Sequence, residues 1–530
     1  MDATLPTQSS HPVRRTLSLA LARWLYRYRA DDRAQNPLAP VAMAAWCPPT
    51  ELYSPRWAFS YLPTFARVHR HVQRSLHAHE GHVPHEDRLA AAQSLFGQGT
   101  LAQSIEARAV REDRWFARTR IDGPNPALIR RADDRAEIAA LFPGVVLPSN
   151  AELFVLDYSH LRRARASAAP SPGKHLPAPV ALLAELDGAL VTLAIRVEID
   201  APVRTPHDEH AWEHAKLCVQ TADFNDQTLR THLHDCHAMM VPFALSTPRQ
   251  LAPEHPIRLL LAPHLQHTLM VNQAALSLFR TGAVFDTMYG GGLARTCAVF
   301  HDAHRALSFR DLALPNDLAR RGVERAPVDY PFRDDALSWW TALGRYVRSY
   351  VDAFYLADAD VRHDIELAAW TDELSDPRAG AIAGLLRGER LGDRQELAEL
   401  LQLVLFIAGP RHASAHYPQT TYFTSVASSP GALYYPHEDP IGPDYLALSL
   451  PPRERAAEQF AVNHVAGYRH ERFGDYAAHP LSRIDRARPA ITRLRRDLDE
   501  IEAAIAARNA QRPRPYPYLL PSLVTNSVDI

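Results

Sequence analysis

The chain has 530 residues and a net charge of −2, with 46% hydrophobic and 22% charged residues. This composition is typical of a globular protein with a large buried core. The near-neutral charge gives no electrostatic footprint for binding nucleic acid. The four cysteines are scattered and form no CxxC motif, which argues against a disulfide framework or a thiolate zinc site. We therefore expect a cytoplasmic protein that does not bind nucleic acid.

The N-terminal region carries one short apolar run. It covers about nine residues, 17–25, and is broken by Arg23. It is therefore neither the uninterrupted core of a signal peptide nor a membrane span of about 20 residues. Residues 16–28 predict an amphipathic helix, and we favour an ordinary surface helix over one that lies on a membrane. Transient contact with a membrane surface stays open. Further helices are predicted at 64–78 and 88–97.

The pattern changes to strands between residues 150 and 200. ELFVLDYSHL, VALLAELDG and LVTLAIRVEI predict three short strands, with a turn at Asp187-Gly188. After residue 209 the apolar periodicity is helical. The predicted helices are 209–246, 255–280, 303–313, 334–356, 361–373, 394–409, 452–466 and 487–508. We expect one mainly α-helical domain over residues 1–530. It would include a small antiparallel β subdomain at 150–200 and a helical N-terminal segment at 1–110.

Two histidines five residues apart, His232 and His237, are the first candidates for metal ligands. The chain has 27 histidines, so roughly one or two pairs with this spacing arise by chance. A regular α-helix would point them about 140° apart. A π-type turn around residues 230–237 would bring them together, and such turns occur at functional sites. His234 would point elsewhere. Taken alone, the pair is better explained as ordinary histidines, in solvent or in the core, than as metal ligands.

A second pair and the chain end strengthen the metal hypothesis. His412 and His416 are four apart, which places both on one face of a regular helix. Four neutral imidazoles without a thiolate suit a first-row transition metal such as iron or manganese. The last residues, YPYLLPSLVTNSVDI, are apolar for a terminus. Burial of this tail would bury the α-carboxylate of Ile530, which then needs a cation or hydrogen-bond partners.

The order and spacing of these motifs resemble the lipoxygenases, the non-haem iron dioxygenases of polyunsaturated fatty acids. The family pattern places Trp and Ala-Lys before His-x4-His, then a series of short motifs, a later His-Ala-x-x-(Asn or His) block and a final Asn-Ser-x-x-Ile. The matching segments are Trp212, Ala215-Lys216, His232 with His237, Pro242-Phe243, Arg249-Gln250-Leu251, His255-Pro256-Ile257, LLAPH at 260–264, Val271-Asn272, HASAH at 412–416 and NSVDI at 526–530. The resemblance covers roughly residues 110–530.

The resemblance implies a large helical catalytic domain with one non-haem iron per chain, manganese not being excluded. The implied ligands are His232, His237, His412, His416 and the carboxylate of Ile530, with water or hydroxide in a sixth position. The metal-bound hydroxide is the only catalytic group that the resemblance implies, and no side chain is implied to have a catalytic role. Many eukaryotic members also carry an N-terminal β-barrel, for which residues 1–110 are too few and too helical. We therefore expect a compact bacterial-type member without the barrel.

The resemblance also implies pocket residues. Ala275 falls where the family's choice of Ala or Gly correlates with stereochemistry, and alanine implies S-type oxygenation. Leu276 replaces the arginine that commonly follows this position. Phe279 and Phe285 are implied to line the substrate pocket.

One departure concerns the glutamines beside the ligands. Gln419 matches a family glutamine that contacts the ligand set. Thr228 stands where the family has another glutamine, four residues before the first ligand, and Gln227 lies one residue earlier. Because of this shift, the usual hydrogen-bond network around the metal is not expected to form in the same way.

The implied reaction is abstraction of a bis-allylic hydrogen followed by addition of O2 to give a hydroperoxide, so the implied partners are a polyunsaturated fatty acid and O2. The departure at Thr228 keeps open a hydroperoxide isomerase or other altered oxidative chemistry on the same metal. A non-catalytic fatty-acid-binding relative is a third, less favoured reading. The oligomeric state, the preferred fatty acid and the regiospecificity stay open.

Overall fold

The structure is a computed structural model that describes residues 3–29, 36–77, 112–162, 173–281, 284, 288–327, 329–438 and 440–528. The chain is mainly α-helical with one small antiparallel sheet, which confirms the predicted fold class. Helices on the N-terminal side of the sheet, or within its first connection, are α1 (Pro12–Leu25), α2 (Pro55–His77), α3 (Asp113–Asp122) and α4 (Arg135–Leu141).

The helices after the sheet form most of the protein. They are α5 (Glu209–Asp226), a first π-helix (Gln227–Ala238), α6 (Met239–Gln250), α7 (Pro256–Leu265), α8 (Thr268–Thr281), α9 (Gly292–Ala306), α10 (Leu314–Arg321), α11 (Pro331–Phe354), α12 (Asp358–Arg362), α13 (Ile365–Ser375), α14 (Arg394–Phe406), a second π-helix (Ile407–Arg411), α15 (His412–Tyr422), α16 (Tyr445–Ser449), α17 (Arg453–Val465) and α18 (Arg488–Gln511).

The sheet is a five-stranded meander of β1 (Arg130–Arg131), β2 (Glu152–Asp157), β3 (Val180–Leu186), β4 (Ala189–Arg196) and β5 (Val203–Arg204), each strand antiparallel to its neighbours. The predicted turn is present: Asp187 and Gly188 both have positive φ, as a two-residue hairpin turn requires. Alternate side chains enter two cores. The main core takes Phe154, Leu156, Ala181, Leu183 and Ile195, and a smaller one takes Leu153, Val155, Leu182, Ala184 and Ala194.

Two helix predictions need correction. The single helix predicted at 255–280 is divided into α7 and α8, because His267 between them has a φ of 60, a left-handed conformation that ends a helix. The helix predicted at 303–313 is wrong in position, since α9 begins at Gly292 and a short 3₁₀ turn, Phe309–Leu312, follows it. Apolar periodicity runs through both boundaries and does not mark them.

The N-terminal helices α1 and α2 overlap the helices predicted at 16–28 and 64–78 but begin earlier, at Pro12 and Pro55, whereas 88–97 lies outside the described residues. Helix α1 packs against α6. The side that it buries carries Arg15, Leu19 and Ala22, and most of its large apolar side chains face outward. Within the described part of the chain, no helix is both long enough and apolar enough to cross a membrane.

The described part of the C-terminal tail after α18 is largely buried, as its apolar composition predicts, and residues 524–528 are all buried. The indole N–H of Trp339 donates to the Leu519 carbonyl (2.8 Å). The backbone of Asn526 donates to the Glu471 carbonyl (3.1 Å). His264 of α7 holds the same residue, with Nδ1 2.9 Å from the Asn526 carbonyl oxygen and Nε2 3.0 Å from the Tyr476 hydroxyl. A carbonyl only accepts, so Nδ1 carries the ring proton and Nε2 accepts from the tyrosine.

The buried His264 makes stability depend on pH. Burial lowers its pKa to about 3, against an ordinary value near 6.5 in the unfolded chain. Below pH 6.5 the unfolded state therefore binds a proton that the folded state does not, and stability falls as pH falls. Between pH 7 and pH 5 this histidine contributes a loss of about 2 kcal/mol. We predict that His264→Gln reduces the fall in urea-unfolding free energy over this range by about that amount.

The exposed His363 provides the control, since its ring stays in water in both states. His363→Gln should leave the pH dependence unchanged. An equal pH dependence in His264→Gln and the wild type would contradict the prediction.

Candidate metal centre

The first π-helix brings His232 and His237 onto one face. Its wider i→i+5 turn stacks residues five apart, and the two Nε2 atoms are 3.0 Å apart. The π-type turn predicted around 230–237 is therefore confirmed, and it extends over the whole of Gln227–Ala238. His234 points away, as expected, with its Nδ1 2.9 Å from the Asp235 carboxylate.

The second pair of histidines lies on α15, directly after the second π-helix. His412 and His416 are four apart on a regular helix and face the first pair, with Nε2 of His412 3.1 Å from Nε2 of His237. The sequence reasoning missed the second π-helix. Its signal was the Gly409-Pro410 pair inside a helical pattern, because a proline removes one donor from the helical ladder.

The four imidazoles converge on one point. His416 differs from the others: its Nε2 donates to the Ala466 carbonyl, which leaves Nδ1 facing the cluster, 2.8 Å from Nε2 of His232. One ring nitrogen from each histidine lies within 4.8 Å of all the others. Nitrogens bound at right angles to one metal at about 2.1 Å lie about 3 Å apart. The separations between the neighbouring nitrogens therefore fit one shared metal ion.

Burial keeps the cluster neutral. It lowers the pKa of His237 to about 3 and that of His416 to about 4. Burial, with the neighbouring histidines, holds the pKa of His232 and His412 well below the ordinary range. Neutral rings offer lone pairs to a metal. Nδ1 of His412 has no hydrogen-bond partner among the described residues. With imidazole as the only donor type in this group, the set suits a first-row transition metal such as iron.

A glutamine pair connects the two ligand helices. Gln227 donates to the Ala415 carbonyl (2.7 Å) and accepts from Gln419 Nε2 (3.1 Å) and the Thr228 hydroxyl (3.2 Å). Gln419 Nε2 also lies 3.0 Å from Nδ1 of His232. The link between the glutamines is thus present although Thr228 stands at the family's glutamine position. The π-helix explains this, because it stacks Gln227, His232 and His237 at intervals of five.

An ion pair also joins the two π-helices. Arg411 lies 3.2 Å from Oδ2 of the buried Asp235. Burial alone would raise the pKa of this carboxyl, but hydrogen bonding to His234 and the nearby Arg411 hold it below its usual value. The carboxylate thus stays charged and clamps the helices together.

The C-terminal tail passes close to the ligand helices. Tyr417, next to His416, donates to the Thr525 hydroxyl (3.1 Å). A Cβ at Gly409 would lie 2.6 Å from the Phe473 ring and 3.4 Å from the Thr525 carbonyl oxygen, so only glycine fits there. The predicted fifth ligand, Ile530, lies outside the described residues.

The predicted pocket residues lie on or after α8, which contacts the first π-helix. Ala275 is partly buried, and Phe279 is buried with its ring 5.8 Å from that of Phe300. Phe285 lies outside the described residues.

Curated relatives resemble most of the chain. The family profile named Lipoxygenase matches residues 194–514. The linoleate 9/13-lipoxygenase of Pseudomonas aeruginosa is 32% identical over 490 residues, covering 84% of this chain and 70% of its own. The mouse polyunsaturated fatty acid lipoxygenase ALOX12 is 29% identical over 473 residues, covering 83% and 69%.

Solved structures show the same fold. A lipoxygenase in complex with arachidonate has a TM-score of 0.88 at 23% identity, covering 100% of this chain and 84% of its own. A calcium-dependent 11R-lipoxygenase has a TM-score of 0.86 at 24% identity, covering 100% and 83%. From the profile match over more than half of its length and the 32% identity to the bacterial enzyme, the chain belongs to the lipoxygenases, a family of dioxygenase oxidoreductases.

Proposed function

We propose that the protein is a non-haem iron dioxygenase that inserts O2 into polyunsaturated fatty acids. The observation that carries this is the convergence of four neutral, buried imidazoles in a lipoxygenase chain. Relatives named for linoleate and polyunsaturated fatty acids support the substrate class, as does the neighbouring structure with arachidonate.

His232, His237 and His412 would hold the metal through Nε2 and His416 through Nδ1. We propose the Ile530 carboxylate as the fifth ligand, which the burial of Thr525, Asn526 and Ser527 supports. Iron is favoured by the family, and metal analysis of the purified protein distinguishes it from manganese. When bound, iron supplies a one-electron oxidant for abstraction of a bis-allylic hydrogen atom.

The side chains around the ligands fix where the ring protons are held. The Ala466 carbonyl keeps the proton of His416 on Nε2. Ligation through Nε2 of His232 requires its proton on Nδ1, next to Gln419. Gln419 would then turn its amide so that Oε1 accepts the hydrogen bond from Nδ1–H. The turn ends the bond of Gln419 to Gln227 Oε1, because one amide nitrogen makes both contacts. Gln227 stays fixed by the Ala415 carbonyl, and Gln419 alone orients the His232 ring and raises its basicity.

We propose that Ala275, Phe279 and Phe285 line the substrate pocket and that Ala275 directs S-type oxygenation. The contact between α8 and the first π-helix supports this position. Residues 1–530 are proposed to form one domain, since the main core unites side chains from Leu5 to Val528. A cytoplasmic location stays a prediction, which fractionation of cells tests.

The alternative is a hydroperoxide isomerase, which the departure at Thr228 favoured. The contacts of Gln227 weaken that support, because Gln227 still lies between the Ala415 carbonyl and Gln419 although Thr228 stands at the family's position. Oxygen uptake with linoleate or arachidonate separates the two functions, since an isomerase consumes preformed hydroperoxide. A binding-only protein would show neither reaction.

Removal of one ligand should remove the metal. We predict that His237→Ala lowers iron content to background and abolishes oxygen uptake and conjugated-diene formation with linoleate, because three imidazoles cannot replace the lost donor. Iron is measured by elemental analysis. His234→Gln is the matched control: this buried histidine of the same π-helix faces Asp235, so its iron should be retained. Full iron occupancy in His237→Ala would contradict the assignment of His237 as a ligand.

Removal of the last residue should displace the carboxylate. We predict that deletion of Ile530 lowers iron content at least about tenfold, since the new terminus lies one residue short. Ile530→Val keeps the carboxylate in place and should keep the iron. Equal iron in the deletion and the wild type would rule out carboxylate ligation.

A smaller side chain at Ala275 should change the product. We predict that Ala275→Gly shifts the hydroperoxide from S towards R, as chiral chromatography would show. Ser277→Gly puts the same glycine at an exposed position of α8, with a helix penalty of roughly 0.5 kcal/mol, and should keep the wild-type product. An R product from the wild type, or an unchanged product from Ala275→Gly, would contradict the role given to this residue.

A further inference from the structure

Helix α1 exposes an apolar stripe. Val13, Leu17, Leu21 and Trp24, spaced four, four and three residues apart, are 72%, 65%, 58% and 57% exposed and share one side of the helix. We call these four residues the N-terminal apolar face. An ordinary surface helix buries such a stripe. Here the opposite side is buried, and it is held in place by the ion pair of Arg15 with Glu366.

Exposed apolar residues are concentrated in this region. Among the described residues, nine of the sixteen large exposed hydrophobics fall between residues 13 and 65, including Phe59, Leu62 and Phe65 of α2. The others are scattered, which is normal for a protein surface. Tyr26, directly after α1, bonds to Thr50 (3.0 Å) and Glu51 (2.7 Å). These bonds hold the end of α1 close to the segment that leads into α2.

The charge of the region is strongly positive. Residues 12–77 contain ten arginines and three acidic residues, in a chain whose net charge is −2. Neither α1 nor α2 contains an acidic residue. The single carboxylate in the described part of this region, Glu51, accepts from the Tyr26 hydroxyl and has its pKa raised by burial. Arg14 in α1 and Arg27 just after it are exposed, whereas the guanidinium of Arg23 donates to the Arg249 carbonyl and the Gln250 side chain.

We propose that the N-terminal apolar face binds the surface of an anionic lipid bilayer, with the apolar side chains entering the headgroup boundary and the arginines facing lipid phosphates. A stripe of leucine and tryptophan beside arginines is the pattern of helices that lie in this boundary, and basic segments add attraction to anionic lipid. The positive charge selects a lipid surface over a second copy of the chain, whose same face would repel it.

The position of α1 relates this surface to the metal centre. Its buried side packs on α6, which continues directly from the π-helix that carries His232 and His237. Nε of Arg23 donates to the Arg249 carbonyl at the end of α6 (3.2 Å). Docking would therefore place the bilayer one helix away from the ligand helix. The binding itself does not depend on the proposed reaction.

Vesicle flotation of the purified full-length protein tests the proposal. Binding should be strong to vesicles of phosphatidylcholine and phosphatidylglycerol mixed two to one, weaker to phosphatidylcholine alone, and reduced by salt. Leu17→Glu/Leu21→Glu should lower the partition coefficient at least about tenfold. Glutamate is a good helix former, so α1 should remain folded, which circular dichroism checks. Arg14→Glu is a second variant that should weaken binding to the anionic vesicles only.

Val146→Glu/Leu356→Glu is the matched control, because it adds the same charges at exposed apolar residues elsewhere and should leave binding unchanged. Oxygen uptake with dispersed free fatty acid should be equal in Leu17→Glu/Leu21→Glu and the wild type, which separates docking from catalysis. Absence of wild-type binding, unchanged binding in Leu17→Glu/Leu21→Glu, or an equal loss in the control would overturn the proposal. So would a change of that variant's oligomeric state in light scattering without a change in vesicle binding.

Discussion

Four neutral imidazoles that meet in the buried interior are the constraint on which the rest of the structure depends. Lone pairs on adjacent nitrogens about 3 Å apart need either a shared proton or a cation between them, and burial disfavours protonation of the rings. The surrounding residues therefore have to hold the rings in place against the repulsion between their lone pairs until a metal ion binds. Two π-helices, the glutamine pair and the Arg411–Asp235 ion pair do this.

Much of the centre was predictable from residue spacing. A spacing of five residues from His232 to His237 requires a π-type turn if both are to face one point, and the structure has that turn. A spacing of four residues from His412 to His416 suits a regular helix, which is also present. The hairpin turn between β3 and β4 could also be predicted from the sequence, because positive φ at both turn residues favours Asp-Gly.

Other features depend on tertiary contacts that periodicity does not encode. The helix breaks at His267, which adopts a left-handed backbone conformation although it is not glycine. The orientation of α1 is set by the buried Arg15 rather than by its apolar stripe. Gln227 is instructive in another way. Compared with the family pattern it is displaced by one residue, but the long π-helix changes the angle per residue, so it still reaches Gln419. Counting positions along an assumed α-helix misses this, because the face that a residue occupies depends on the helix type.

The buried tail has a consequence for when the protein matures. Arg514 pairs with Asp122, and Thr525 reaches Tyr417, so the last residues of the chain fill a place between segments made much earlier. A Cβ at Gly409 would meet the Phe473 ring and the Thr525 carbonyl, so the ligand helix and this segment fit together only in close contact. The walls around the four histidines therefore form only after residues 514–525 have been synthesised and have packed against segments far from them in sequence.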